Sequence, residues 1–203
     1  MTPRPISFSA RRALLVSAGL VAGFLLPAAP ALAHPGHGLD GTGSGLTHPL
    51  AGPDHLMAMV AVGVVAALAT SRRVAWMTPV AFVAGMLAGG ALGLAGVSVP
   101  GTETAIALSV VALGVLVATA AHRDGALLPL LIGAFGLAHG MAHGAEAPSA
   151  ASPTAYVVGF VAATVALHAG GAGAGWLLRR TPAVRMASGG LVTGAGLALL
   201  TAV

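Results

Sequence analysis

Six long apolar segments, separated by short polar ones, limit what this chain can fold into. Each is long enough to cross a bilayer as a helix, which takes about 20 apolar residues, within a range of about 17–25. Only 7% of the 203 residues are charged, against about 25% in a soluble domain. The sequence therefore predicts an all-α, polytopic membrane protein with six transmembrane helices. The segments span roughly residues 53–70, 74–96, 103–121, 126–143, 154–178 and 186–203.

Residues 1–33 have the pattern of a cleaved secretory signal peptide. Arginines precede an apolar stretch, and Ala31-Leu32-Ala33 resembles a cleavage site. The alternative is an uncleaved first membrane helix. After cleavage, residues 34–52 would form a periplasmic arm rich in histidine and glycine that leads into the first helix. We expect this arm to be flexible over residues 34–47, and residues 53–203 to form a six-helix transmembrane domain.

The arginines predict the orientation in the membrane. They follow the first, third and fifth apolar segments, whereas loops 97–102 and 144–153 have none. Cytoplasmic loops are enriched in arginine and lysine, so the chain is predicted to lie in a bacterial inner membrane with a periplasmic mature N-terminus. A cleaved export signal gives the same orientation. Trp76 and Trp176 would then lie at the inner interface and Tyr156 near the outer one.

A first polar cluster, His48, Asp54 and His55, stands at the mouth of the first apolar segment. Pro53 suits the first turn of a helix, which places Asp54 and His55 in that turn. His48 would reach them from a bent or broken segment of the kind that lines ion sites in transporters. Such polar groups are costly at a membrane boundary unless they have partners. The alternative is that the aspartate caps the helix and the histidines are interfacial.

A second polar cluster consists of His139, His143 and Glu146, within a tandem Ala-His-Gly repeat. The spacing places all three on one helical face, and imidazole with carboxylate suits a divalent transition metal. The alternative is a pair of packed histidines that are hydrogen-bonded to the backbone. Both clusters fall on the predicted periplasmic side. We therefore expect them to meet and to form one metal site of up to four histidines and two carboxylates.

Three further histidines are weaker candidates. His34 and His37 could capture metal on the arm, and His168, well inside the fifth segment, could line a pathway. The chain has no cysteine, which removes thiolate sites, and it has no phosphate-binding loop for ATP hydrolysis. No permanent cofactor is expected. The scattered arginines do not indicate nucleic-acid binding, so the expected partners are a divalent metal ion and the lipid bilayer.

Three glycine ladders predict close helix packing. Small residues at four-residue spacing let helix backbones approach in a membrane. Packing within the chain is the simplest interpretation, and a homo-oligomer through the same helices is an additional hypothesis. The ladders are Gly85, Gly89 and Gly93; Gly136, Gly140 and Gly144; and Gly190 and Gly194.

Together these motifs resemble the HupE/UreJ family of nickel/cobalt permeases. The first motif is His-Pro-x-x-Gly-x-Asp-His followed by Leu-Met-Ala-Met-Val-Ala-Val-Gly, and the second is His-Gly-x-Ala-His-Gly-x-Glu. The resemblance covers the signal peptide, the histidine-rich start and the six spans. It assigns metal recognition to His48, Asp54, His55, His139, His143 and Glu146. The chain departs from the family at Ala138, often Phe there, and carries Pro53 at a variable position; neither removes a ligand.

The resemblance implies a secondary permease that imports Ni²⁺, or Co²⁺, as its substrate, often for hydrogenase or urease maturation. The membrane potential could drive such import, since an inward-moving divalent cation gains about 4.6 kcal/mol per 100 mV. The chain is thus expected not to be an enzyme. Two alternatives stay open: an intramembrane zinc-dependent hydrolase that uses the same six residues, and a metal-binding accessory subunit without transport.

Overall fold

The computed structural model of the protein describes residues 41–120, 125, 127–147 and 152–203. Within these ranges the chain is helical and contains no strand, as predicted. The signal peptide, His34 and His37 lie outside the described residues. The helices are α1 (Gly41–Ala51), α2 (Pro53–Leu68), α3 (Arg72–Leu94), α4 (Thr102–Thr119), α5 (Leu127–Ala145), α6 (Pro153–Leu178) and α7 (Pro182–Leu199).

Local sequence signals explain where several helices begin. Proline occupies the first turn of α2, α6 and α7, where its missing N–H costs nothing because that donor has no intrahelical partner. Ser71 and Ser152 cap α3 and α6, each accepting a hydrogen bond from the amide three residues later. The apolar segments therefore become separate helices at positions that the sequence marks.

A sharp break separates α1 from α2 at Gly52, where the axes bend by 86°. The expectation of a flexible arm is wrong for residues 41–47, because they belong to α1. This helix packs closely on α6: a Cβ on Gly45 would overlap the Tyr156 carbonyl oxygen, and one on Gly159 the Thr42 oxygen. Tertiary contact with α6 thus overrides the weak helix propensity of a Gly-, Thr- and Ser-rich segment.

Two of the glycine ladders interlock with each other inside the chain. A Cβ on Gly85 would meet the carbonyl of Gly133, and one on Gly93 the carbonyl of Met141. These contacts bring α3 and α5 together as a parallel pair and hold α3 beside the histidines of α5. Gly190 and Gly194 of the third ladder have open space around them. Packing within the chain is confirmed for two ladders, while the homo-oligomer stays a prediction.

The remaining helices pair in directions that agree with repeated crossings. α2 and α6 run parallel, as Gly63 contacts His168 and Gly175 contacts Val64. α4 and α7 run antiparallel, with Gly114 against Gly189. By length and composition, α3, α4, α5 and α6 could each cross a membrane, and α1 with α2 could form a fifth, broken span. α7, which includes Arg185, falls outside this group, so the six-span prediction is only partly confirmed.

The three aromatic residues predicted to lie at the membrane interfaces differ in their exposure. Trp76 and Trp176 are exposed on the helix surface, as residues that meet lipid headgroups would be. Tyr156 is only 2% exposed, so its assignment to an outer belt is wrong. It instead packs beside the histidines of α5, since α1 covers the α6 face that carries it.

Candidate metal-binding site

The two polar clusters meet in space at the break between α1 and α2. The His48 Nε2 atom lies 3.1 Å from Glu146 Oε2. The ring centres of His48 and His143 are 4.8 Å apart, and those of His55 and His143 are 4.4 Å apart. One group of side chains therefore combines α1, α2 and the C-terminal end of α5. We refer to His48, His55, His139 and His143 as the histidine cluster.

Asp54 fixes the orientation of the His55 ring. Its Oδ1 atom lies 2.8 Å from His55 Nδ1 and also accepts a hydrogen bond from the His55 amide at 2.8 Å. An ionised carboxylate only accepts hydrogen bonds, so Nδ1 carries the proton and Nε2 keeps its lone pair. That Nε2 atom is buried without a hydrogen-bond partner. Such a carboxylate–histidine pair is the arrangement that orients metal-binding histidines.

Ser109 of α4 orients the His139 ring in the same way. The serine hydroxyl donates to the Ile106 carbonyl at 2.7 Å, and its oxygen lies 2.9 Å from His139 Nε2. Because a hydroxyl has only one proton to donate, His139 Nε2–H donates to Ser109. The lone pair of His139 is therefore on Nδ1, which is buried without a partner. Sequence reasoning missed Ser109, which precedes His139 by 30 residues and belongs to no motif.

His143 is the least constrained member of the cluster. It is 1% exposed, and neither of its ring nitrogens has a hydrogen-bond partner. Tyr156 donates a hydrogen bond to its backbone carbonyl at 3.3 Å, which holds the helix but leaves the ring free. Its ring packs 5.0 Å from that of Phe160. A buried imidazole without partners is costly, so its placement favours a ligand-binding role over simple packing.

The donor atoms of this cluster suit a transition-metal cation but do not form a closed site. His55, His139 and His143 each bring a buried nitrogen lone pair, with the rings of His55 and His139 4.9 Å apart. Yet among the described residues, no three histidine or carboxylate groups are gathered tightly enough to hold an ion as they stand. The rings would have to rotate before their nitrogens could coordinate one cation together.

All acidic residues in the described part of the chain lie near this cluster. Glu103, in the first turn of α4, lies near Asp54 and Glu146. It interacts electrostatically with His55 and with both of these carboxylates. The hydrogen bond from His48 holds the pKa of the Glu146 carboxyl below its ordinary value. Three carboxylates concentrated at one end attract cations. Glu103 was missed because an isolated glutamate at a helix start reads as a favourable dipole contact.

A cavity of about 570 Å³ adjoins the carboxylates. It lies between residues 97–104, which end in the first turn of α4, and the end of α5, and Glu103 and Glu146 both contribute to its wall. The Glu146 side chain is 56% exposed, against 18% for Asp54. The polar side chains of the site thus range from the exposed carboxylate of Glu146 to the fully buried imidazoles of His139 and His143.

His168 lies deeper in the bundle than the other predicted site residues. Its backbone carbonyl contacts Gly63, which follows His55 on α2 by eight residues, or about 12 Å along a helix axis. Phe82 separates the two levels, with its ring centre 5.6 Å from that of His139 and 5.3 Å from that of His168. His168 is 5% exposed, and its Nε2 atom is buried without a partner.

Comparison with known proteins identifies the family behind this geometry. Residues 20–199 match the profile of the family described as HupE / UreJ protein. The chain belongs to the HupE/UreJ family. It is also 45% identical over 177 residues to the protein HupE of Rhizobium leguminosarum bv. viciae. The aligned residues cover 85% of this chain and 92% of that relative. No solved structure matches the chain.

For this HupE/UreJ protein, the structure brings together the six residues that the motifs single out. His48, Asp54, His55, His139, His143 and Glu146 surround the break between α1 and α2. His168 lies apart from them, on the far side of Phe82. The structure also adds two neighbours to the site, Ser109 and Glu103.

Proposed function

We propose that this protein is a secondary permease that carries Ni²⁺, or Co²⁺, from the periplasm to the cytoplasm. The observation that carries the proposal is the histidine cluster. It gathers three buried imidazoles, each with a ring nitrogen that has no hydrogen-bond partner, beside three carboxylates in a chain of which only 7% of the residues are charged. Imidazole and carboxylate without thiolate suit nickel and cobalt better than the softest metals, and better than calcium or magnesium. Supply of metal for metalloenzyme maturation is the role that the family resemblance adds.

The membrane topology of the proposal has six crossings, of which the first is broken. α1 and α2 together form that crossing, with the break at the depth where the histidine cluster lies. The pairing directions support this topology: α3 and α5 are parallel, as alternate crossings must be, and α4 and α7 are antiparallel. The arginine end of the bundle, which carries Arg72, Arg73, Arg179, Arg180 and Arg185, then faces the cytoplasm. The carboxylates face the periplasm.

An exchangeable cation fits this site better than a permanently held one. A zinc hydrolase would need a closed set of ligands with one open position, and here the donor nitrogens need rotation before they can converge. The exposed Glu146, the buried cluster and the deeper His168 instead form a series that a moving ion can follow. This arrangement favours transport over the hydrolase and over an accessory subunit that only stores metal.

Uptake of radioactive nickel at trace concentration tests the proposal. Cells that produce the protein should accumulate nickel, and His139→Ala or Asp54→Asn should reduce uptake to the level of cells without it. His122→Ala, in the segment between α4 and α5, serves as a histidine control and should retain uptake. Equal amounts of each variant in the membrane fraction are required. Unchanged uptake in either site variant would contradict the proposal.

A further inference from the structure

Two methionine sulfurs converge on one hydroxyl below the histidine cluster. Thr164 Oγ1 of α6 lies 3.4 Å from Met59 Sδ of α2 and 3.7 Å from Met86 Sδ of α3. All three side chains are 0% exposed. We refer to Met59, Met86 and Thr164 as the methionine layer.

The proton of Thr164 is already committed to a backbone acceptor. Its hydroxyl donates to the Phe160 carbonyl at 2.9 Å, and a carbonyl oxygen is a far better acceptor than a thioether sulfur. The Thr164 oxygen and both sulfurs therefore present lone pairs to one another, with no second hydroxyl proton between them. A cation bound between these three electron-pair donors would explain why they converge.

The separations of these atoms are close to those between ligands of one metal ion. Ligands held about 2.1 Å (oxygen) and 2.3 Å (sulfur) from a tetrahedral metal are about 3.6 Å apart. The measured distances of 3.4 and 3.7 Å bracket this value. Methionine side chains are flexible, so a small outward shift of the sulfurs would admit an ion.

The methionine layer lies between the two levels of histidine. Met59 follows His55 by four residues on α2, and Thr164 precedes His168 by four residues on α6. Each step is about one helical turn, or 5.4 Å along the axis. The layer therefore divides the interval from the histidine cluster to His168 into two short steps.

We propose that the methionine layer is a second, inner binding station, which accepts a borderline or soft divalent transition-metal cation from the histidine cluster and passes it to His168. Thioether ligands favour such cations, whereas Mg²⁺ and Ca²⁺ require oxygen. The station thus also selects against the hard cations that carboxylates would attract. This inference rests on the proposed transport function, since a storage protein would have no need of an inner station.

Uptake kinetics separate the station from the outer site. Met59→Leu/Met86→Leu removes both sulfurs with little change in volume, a kind of swap that cores tolerate well. Its maximal nickel uptake rate should fall at least tenfold, while the half-saturation concentration stays within about twofold, because the histidine cluster is intact. Met57→Leu/Met141→Leu, which changes two other buried methionines, should transport like the wild type. Thr164→Val should act like the first double variant and Thr164→Ser should keep the wild-type rate.

X-ray absorption by bound Cd²⁺ provides a readout that does not depend on transport. The chain has no cysteine, so any cadmium–sulfur scattering in the purified protein must come from methionine. A sulfur shell is expected in the wild type and in Met57→Leu/Met141→Leu, and its loss is expected in Met59→Leu/Met86→Leu. If that variant fails to reach the membrane, Thr164→Val and the single Met59→Leu variant are measured instead.

The outcomes distinguish this inference from the proposed function. Wild-type uptake that is abolished by His139→Ala but unaffected by loss of both sulfurs would overturn the inner station and leave the permease assignment intact. A wild type without any cadmium–sulfur shell would overturn the station as well. A wild type that does not transport nickel would overturn both.

Discussion

At the residue scale, the tautomers of two histidines follow from single neighbours. Asp54 accepts a hydrogen bond from His55 Nδ1–H, and Ser109 accepts one from His139 Nε2–H. Each pairing leaves the opposite ring nitrogen deprotonated and buried without a partner. Neutral imidazole is the form that binds metal, so in the proposed site these neighbours would orient two ligands before an ion binds.

Ser109→Ala should weaken metal binding although Ser109 is not a ligand. The change removes the acceptor of His139 Nε2–H and frees the ring to rotate, and loss of such a supporting group typically costs about 10–100-fold in metal affinity. We expect nickel affinity of the purified protein to fall within that range, as measured by equilibrium dialysis. Thr119→Ala, which removes an exposed hydroxyl on the same helix, is the matched control. Unchanged affinity in Ser109→Ala would show that Ser109 does not position His139.

The six proposed ligands could be singled out from the sequence, whereas the residues that contact them from other helices could not. His48, Asp54 and His55 stand close together in the chain, and so do His139, His143 and Glu146. Ser109, Glu103 and Tyr156 act from other helices, where nothing in their local sequence distinguishes them from a packed serine, a helix-start glutamate or an interfacial tyrosine. Only tertiary packing shows which face of each helix meets the site.

At the element scale, two parallel helix pairs hold the halves of the site together. α3 packs on α5 through glycines that leave no room for side chains, and α2 packs on α6 in the same manner through Gly63 and Gly171. Close backbone contact of this kind contributes van der Waals packing, which drives helix association in lipid. The ladders were readable from the sequence, but their mutual pairing was not.

Gly136→Ala should destabilise the protein, because the added Cβ would overlap the Phe82 carbonyl oxygen on α3. Overpacking of this kind costs about 1–3 kcal/mol, and the backbone on the other side cannot yield as a side chain would. Gly133→Ala is the matched control on the same helix, since its Cβ would have ordinary contacts of 3.4 Å or more. Thermal unfolding in detergent should show a lower midpoint for Gly136→Ala only. Equal midpoints for the two variants would contradict the tight α3–α5 contact.

The break at Gly52 shows where sequence reasoning reached its limit at this scale. Pro53 marked the start of α2, and the bend before it was expected. The helix α1 was not expected, because each of the first four residues of Gly41–Ala51 is a glycine or carries a hydroxyl group. Its helical state depends on contact with α6, which local sequence does not reveal.

At the scale of the whole molecule, the charged side chains of the described residues are separated along the bundle. Asp54, Glu103 and Glu146 lie at one end, and the Arg179 side chain lies at the other, where it donates to the Ala69 carbonyl at 2.8 Å. Arg180 packs over the Trp176 ring at 5.0 Å. The arginines follow the positive-inside pattern, and the carboxylates would face the compartment from which a cation is taken.

Uptake should depend on the membrane potential and not on ATP. A divalent cation that moves inward gains about 4.6 kcal/mol for each 100 mV, from about 2.3 kcal/mol per charge, and this total corresponds to roughly three decades of concentration. In proteoliposomes that contain the purified protein, a potential that is negative inside, set by potassium and valinomycin, should drive nickel accumulation without nucleotide. Vesicles without a potential should only equilibrate. Accumulation that ignores the potential would contradict a uniport of the cation.

The central claim is that both polar clusters form a single metal site, and the number of nickel ions bound by the purified protein tests it most directly. Equilibrium dialysis carried to saturation, well above the dissociation constant, should show one high-affinity Ni²⁺ per wild-type chain at the histidine cluster. His55→Ala, from the first cluster, and His143→Ala, from the second, should each abolish that one ion. Two high-affinity ions of which His55→Ala removes one and His143→Ala the other, or no loss of bound nickel in either variant, would contradict the claim.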